Sequence, residues 1–282
     1  MRFHLAPIVG LLALVAACGG ESSDVADESD LSAANHASAV RTCTKTRDRA
    51  LDSASSNSAM QQATVTWTSC VRRADDSVAP RLEKNLAAVS SPDRGGVAKL
   101  MAAYRTAAGV VCDAVSDASE SFGGFIATLQ RADCRGEAEA ALAALIDAYA
   151  DLGKKAVSVV STSEDHAKCN AAFDADTKTA STTAAQVTAA RNLAGCIEHD
   201  VALHEPTIVK RIVDNKARPK STPDQITKEV HDALVAHGAA ARHVCAMLSD
   251  TGSSAGGTLA HVEAAMCTAN AAAQLADNLV GK

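Results

Sequence analysis

Apolar positions in this chain recur at the spacing of helices. Val97, Leu100, Tyr104 and Val111 fall on one helical stripe, and Ile226, Val230, Leu234 and Cys245 do the same further on. Two more stripes follow these, Ile126, Leu129, Leu142 and Ile146, then Leu259, Val262, Leu275 and Leu279. No stretch alternates cleanly enough for a strand, so the pattern predicts an all-α chain. Ser91-Pro92-Asp93 and Thr222-Pro223-Asp224 read as helix starts. In each, a hydroxyl can cap free amides, proline suits the first turn, and aspartate suits the positive end of the helix dipole. Pro80 and Pro206 each mark a helix start or a kink.

The two sets of stripes are copies of each other. Cys43 to Cys70 spans 27 positions, as does Cys169 to Cys196; Cys112 to Cys134 spans 22, as does Cys245 to Cys267. The first cysteine pair recurs at an offset of 126 and the second at 133, which places a seven-residue insertion between them in the later copy. At offset 133, Ser116, Asp117, Ser121, Gly123 and Gly124 meet Ser249, Asp250, Ser254, Gly256 and Gly257. At offset 126, Pro80 meets Pro206 and Lys84 meets Lys210. Agreement at this density implies a duplicated unit. The expected organisation is two tandem helical-bundle domains, 36–153 and 154–282, joined through 154–163.

Composition changes the picture in one respect. The chain is 47% hydrophobic but only 2% aromatic, so the core must be built from small aliphatic side chains. Eight cysteines beyond Cys18 can compensate as disulfides. Only the within-pair spacings are held fixed between the copies, which favours Cys43–Cys70, Cys112–Cys134, Cys169–Cys196 and Cys245–Cys267. Each such loop closure contributes about 3–4 kcal/mol. Zinc binding would need close CxxC or CxxH pairs, and there are none.

The amino terminus reads as an address. Residues 1–17 form a lipoprotein signal peptide, with Arg2 at its start and an apolar run from Leu5 to Ala17. Leu14-Val15-Ala16-Ala17-Cys18 resembles a bacterial lipobox, which implies lipidation of Cys18 and a membrane as partner. Residues 18–35 read as an acidic flexible tether, with five acids and no bases. Gly19 rather than Asp after the cysteine suggests, by resemblance to such signals, an outer-membrane lipoprotein of the bacterial cell envelope.

Candidate chemistry is sparse. The net charge of −6 argues against a nucleic-acid partner. There is no GxSxG elbow, HExxH, Walker loop or CxxC pair, so no catalytic residue, metal site or cofactor is expected, and the chain does not read as an enzyme. His166, His199, His204, His231, His237, His243 and His261 lack ligand spacing and read as scattered surface residues. Asp75-Asp76 and the Glu198–Asp200 stretch read as solvated helix faces. The candidate partner-contact loops are the shared ones: Ser116, Asp117, Ser121, Gly123 and Gly124 in the first copy, Ser249, Asp250, Ser254, Gly256 and Gly257 in the second. In them an aspartate could be offered to a basic partner.

Cys70, Leu82, Tyr104, Cys112, Gly123, Gly124 and Cys134 fall where the lysozyme-inhibitor LprI amino-terminal domain has a cysteine, an apolar residue, an aromatic, a cysteine, a small-residue turn and a further cysteine. Cys196, His237, Cys245, Gly256, Gly257 and Cys267 repeat the arrangement, with histidine at the aromatic place. The chain thus resembles two tandem copies of that family's domain. It departs from the family's pattern at Ala108 and Ala241, where an arginine is usual, and in the wide spacing of its first two cysteines. The resemblance implies an exported, lipid-anchored, non-catalytic binding protein of lysozyme-inhibitor type, with a basic protein such as a lysozyme as partner. The other expectation is a structural or scaffolding envelope lipoprotein.

Overall fold

Alanine-rich helices have thin sides and can approach closely, and this chain packs helices alone among its described residues. The computed structural model describes residues 33–88, 96–150, 166–251 and 257–280. In the first copy α1 (Ala33–Asp52), α2 (Asn57–Ala88), α3 (Val97–Asp117) and α4 (Phe125–Tyr149) follow one another. The second contains α5 (Ala167–Thr179), α6 (Thr183–Ala202), α7 (Glu205–Asp214), α8 (Pro223–Thr251) and α9 (Thr258–Val280). The signal peptide, Cys18, most of the tether, Ser91-Pro92-Asp93 and the join at 154–163 lie outside the described residues. The end of the expected tether, from Ala33 on, already belongs to α1. No described helix is long and apolar enough to cross a membrane.

The duplication is visible element by element. Shifted by 126, α2 covers the span of α6 and α7 together, from Thr183 to Asp214. Shifted by 133, α4 begins where α9 begins. Pro92 and Pro223 of the two helix-start motifs lie 131 positions apart, so five of the seven inserted residues precede α8. Pro80 lies inside α2, which continues through it, whereas Pro206 stands in the first turn of α7, after a break at Leu203 and His204. One equivalent proline is thus tolerated within a helix and the other starts one. At the start of α8 the expected cap is present and reciprocal: Gln225 N–H donates to Thr222 Oγ1 (3.3 Å) and Thr222 N–H to Gln225 Oε1 (2.8 Å).

All four expected disulfides form. Cys43–Cys70 ties α1 to α2, and Cys169–Cys196 ties α5 to α6, each with Cα atoms 5.7 Å apart. Cys112–Cys134 ties α3 to α4 and Cys245–Cys267 ties α8 to α9, with Cα atoms 5.6 and 5.4 Å apart.

The described residues of the two copies fall in one compact unit. One core cluster joins Val78, Leu82, Met101 and Leu142 of the first copy to Leu193, Val244, Met247 and Ala273 of the second. The main contacts between copies pair α3 with α8 and α4 with α9, and each pair consists of equivalent helices. Contacts of α2 with α8 are matched by those of α3 with α7. Tyr104 meets His237, its own counterpart, with ring centroids 5.1 Å apart. Equivalent faces thus meet, as in an isologous dimer interface, although α4 also touches α8. Ala114 and Ala118 near the end of α3 cluster with Ile226 and Val230 near the start of α8, so these two helices run antiparallel.

Packing between the helices is set by residue size. Trp67, the chain's only tryptophan, packs its ring against Gly136 of α4, and the Arg47 guanidinium lies over the ring at 3.9 Å. A Cβ on Gly136 would come within 2.3 Å of the indole ring. In the second copy the equivalent pair is Leu193 and Ala269, a smaller residue opposite a larger one. Gly136→Ala should therefore cost about 1–3 kcal/mol, measured by denaturant unfolding with Trp67 fluorescence as the probe. The same glycine placed at Ala269 would not produce overpacking, only a loss of helix propensity of about 1 kcal/mol.

Candidate functional site

The candidate contact loop of the first copy is the α3–α4 turn. Ser116, buried near the end of α3, donates to the Ala127 carbonyl of α4 (2.9 Å), and the Cys112–Cys134 bond fixes the same two helices below it. Gly123 takes φ of +80°, a left-handed conformation that favours glycine. Gly124 N–H donates to the Ser121 carbonyl (3.0 Å), and Ser121 N–H to Ser119 Oγ (3.2 Å). The conserved-looking serines and glycines of this stretch therefore shape the turn.

Asp117 is paired within the chain. Arg218 Nε donates to its Oδ2 at 2.9 Å, and Arg131 approaches its Oδ1 at 3.5 Å. Asn215 Nδ2 also donates to the carbonyls of Asp117 (2.9 Å) and Ser119 (2.8 Å). Residues 215–218, between α7 and α8, thus clasp the turn of the other copy. Three other side chains at this end reach solvent, namely Glu120, Phe122 and Ile126. Phe122 is 39% and Ile126 54% exposed. Leu259, the counterpart of Ile126, is 53% exposed at the start of α9. Helical periodicity assigned both Ile126 and Leu259 to a core stripe; they sit instead exposed in the first turns of α4 and α9. An open groove of about 500 Å³ runs beside the turn, lined by Ala118, Glu120, Pro206, Lys210, Arg211 and Asn215.

In the second copy, Ser249 is buried and donates to the Cys245 carbonyl (2.8 Å), Asp250 is half-buried, and Gly257 is exposed. Ser254 and Gly256 lie outside the described residues. No group of metal-ligating side chains is found among the described residues.

Two of the histidines depart from the surface reading. His166 is buried, 3.3 Å from Asp200. His237 is buried against Tyr104, and burial lowers its pKa to about 4, so it is neutral at pH 7. Asp75 departs further from the expected solvated face. It is fully buried and accepts from His36 Nε2 at 2.9 Å, while His36 Nδ1 donates to Asp147 at 2.7 Å. Arg105 extends this cluster to Asp76 (2.8 Å) and Glu139 (2.9 Å), and Arg72 reaches Glu139 from α2 (2.7 Å). Periodicity carried a signal for Asp75, since it lies on the Val71–Val78–Leu82 stripe of α2. The network braces α1, α2, α3 and α4 together.

Compared with protein-family models, curated proteins and solved structures, the chain matches none of them.

Proposed function

We propose that the protein is an exported, lipid-anchored, non-catalytic binding protein that grips a partner through the α3–α4 turn. The observation that carries this reading is Phe122 and Ile126, exposed on a turn whose backbone is fixed by Asn215, Ser116 and the Cys112–Cys134 bond. Apolar anchors on a pre-ordered backbone lose little entropy on binding and supply most of an interface's energy. Four disulfides favour an oxidising compartment, in keeping with the signal-like amino terminus. A basic protein such as a lysozyme suits the net charge of −6 and the resemblance to the lysozyme-inhibitor domain.

Calorimetry against basic lysozymes at low salt tests this. A saturable heat is expected, with affinity falling about tenfold or more in Phe122→Ser. No heat at low salt removes lysozyme as the target, and an unchanged affinity in Phe122→Ser removes the turn as the contact.

One observation favours a structural or scaffolding role as the second reading. Because α3 and α8 are antiparallel, Ile126 and Leu259 project from opposite ends of the helix pair, so one molecule could bridge two envelope components. Crosslinking on intact membranes separates the two readings: bridging yields two partners, lost one at a time in Ile126→Ser and Leu259→Ser.

A further inference from the structure

The charge network around Asp75 and Glu139 of the first copy is not repeated at the equivalent positions of the second. Arg72, Asp75, Asp76, Arg105 and Glu139 correspond to Glu198, Val201, Ala202, Gly238 and Ala272. Four of the five charges have become small or aliphatic side chains, and the fifth has reversed sign. The volume once filled by these side chains has not closed. All five replacement residues line a single cavity of about 190 Å³ between α6, α8 and α9. The deepest substitution is Arg105 to Gly238. A Cβ there would meet nothing closer than 3.6 Å, where the Arg242 guanidinium and the Glu198 carboxylate lie, so the backbone leaves room for a small group beside that pair.

The cavity's chemistry can be read from its wall and its rim. Val201, Leu234, Ala241, Ala272 and Leu275 make the wall aliphatic, and His237 adds a neutral ring. Glu198 and Glu205 stand at the rim. Glu198 is paired with Arg242, and Glu205 with His231 at 3.0 Å. Two carboxylates thus stand at the rim with one permanent cation, Arg242, and the largely exposed ring of His231. In the first copy the same niche holds a cationic side chain with an alkyl stem, Arg105, on a floor of carboxylates. The second copy keeps acids only at the mouth.

We propose that this cavity binds a small amphiphilic cation, an alkylammonium or alkylguanidinium group, with its apolar stem inside and its charged head between Glu198 and Glu205. A volume of about 190 Å³ suits roughly six carbon-sized atoms, taking about 30 Å³ for each as for a water molecule. Burying such a stem removes apolar surface from water, and the rim supplies a charge-assisted contact for the head. The site lies on the second copy and shares no lining residue with the α3–α4 turn of the first, so it stands or falls apart from the proposed partner contact.

The test is an amide-resolved NMR titration of the disulfide-bonded protein with hexylammonium, hexanoate and hexanol. Hexylammonium is expected to shift the amides of Gly238 and Ala241 saturably, with a dissociation constant on the order of 1 mM. It should bind about tenfold more tightly than hexanoate. Ala272→Leu fills the cavity and should weaken hexylammonium about tenfold or more, while circular dichroism shows its helix content retained. Gly238→Ala, which fits without a clash, should weaken it to a smaller degree. Phe122→Ser should leave the titration unchanged. Hexanoate binding as tightly as the amine, an amine response without saturation, or full affinity in a folded Ala272→Leu protein would each overturn the proposal.

Discussion

Removing the Cys245–Cys267 bond should lower unfolding free energy by about 3–4 kcal/mol, whereas removing Cys169–Cys196 should release one helix and leave most of the fold in place. The loops closed are nearly equal, 22 and 27 positions, so loop-closure entropy predicts the same cost for both. Their surroundings differ. Cys245 and Cys267 are fully buried in the shared core, between two long helices that both face the other copy. In a Cys245→Ala/Cys267→Ala protein the lost sulfurs also leave a void, and the penalty is felt by the whole cooperative unit. By contrast, α5 has 13 residues, and Cys169 is its one fully buried side chain, with Phe173 only partly covered. A helix of that length is marginal on its own. Its disulfide to α6 is the principal tie. In Cys169→Ala/Cys196→Ala, hydrogen exchange at 167–179 should therefore accelerate about a hundredfold or more through local opening. The global denaturant midpoint should move less than in the first variant. Equal midpoints in the two variants, or protected amides in α5, would contradict this assignment.

The contrast shows where sequence and structure carry different information. The equal cysteine spacings made the pairing and the repeat legible, because a disulfide loop and its helices are local features with their own periodicity. The helix start at Thr222-Pro223-Asp224 was legible for the same reason, though the reciprocal bond from Gln225 was not read. The docking of the copies was not. Tyr104 and His237 stand 133 positions apart, and nothing in either helix's pattern says that equivalent faces meet. Asp117 shows the cost of that gap. Shared by both copies, it looked like an exposed recognition acid, yet Arg218 and Arg131 occupy it, and Arg218 comes from the other copy. Ile126, exposed at this turn, looked like core because its spacing is helical. Burial depends on what lies opposite, which the spacing along one helix does not say.

The same gap hid the group that should make stability depend on pH. His36 is in α1, Asp75 in α2 and Asp147 in α4, and they meet only in the folded bundle. Burial alone would lower the imidazole's pKa, but the hydrogen bonds and charges of Asp147 and Asp75 outweigh it and raise the pKa to about 9 from 6.5. Both ring nitrogens therefore carry protons at pH 7, and each donates to a carboxylate. The folded state then binds this proton more tightly than the unfolded state, so the contribution is fully present below about pH 6.5. It is lost as pH rises through about 9. A contribution on the order of 3 kcal/mol is expected from a displacement of that size. Asp75 acts in a lower window. Burial raises its pKa to about 6 from 3.8, against the pull of His36 and Arg105, so it too favours the folded state more at acid pH. In urea unfolding the wild-type free energy should thus fall between pH 6.5 and 9. His36→Leu should lose about 3–5 kcal/mol at pH 6.5, since it leaves Asp75 buried without its cation. It should also lose the slope in the upper window, because the titrating group is gone. A wild-type stability that is flat or rising from pH 6.5 to 9 would mean that His36 is neutral between its two carboxylates.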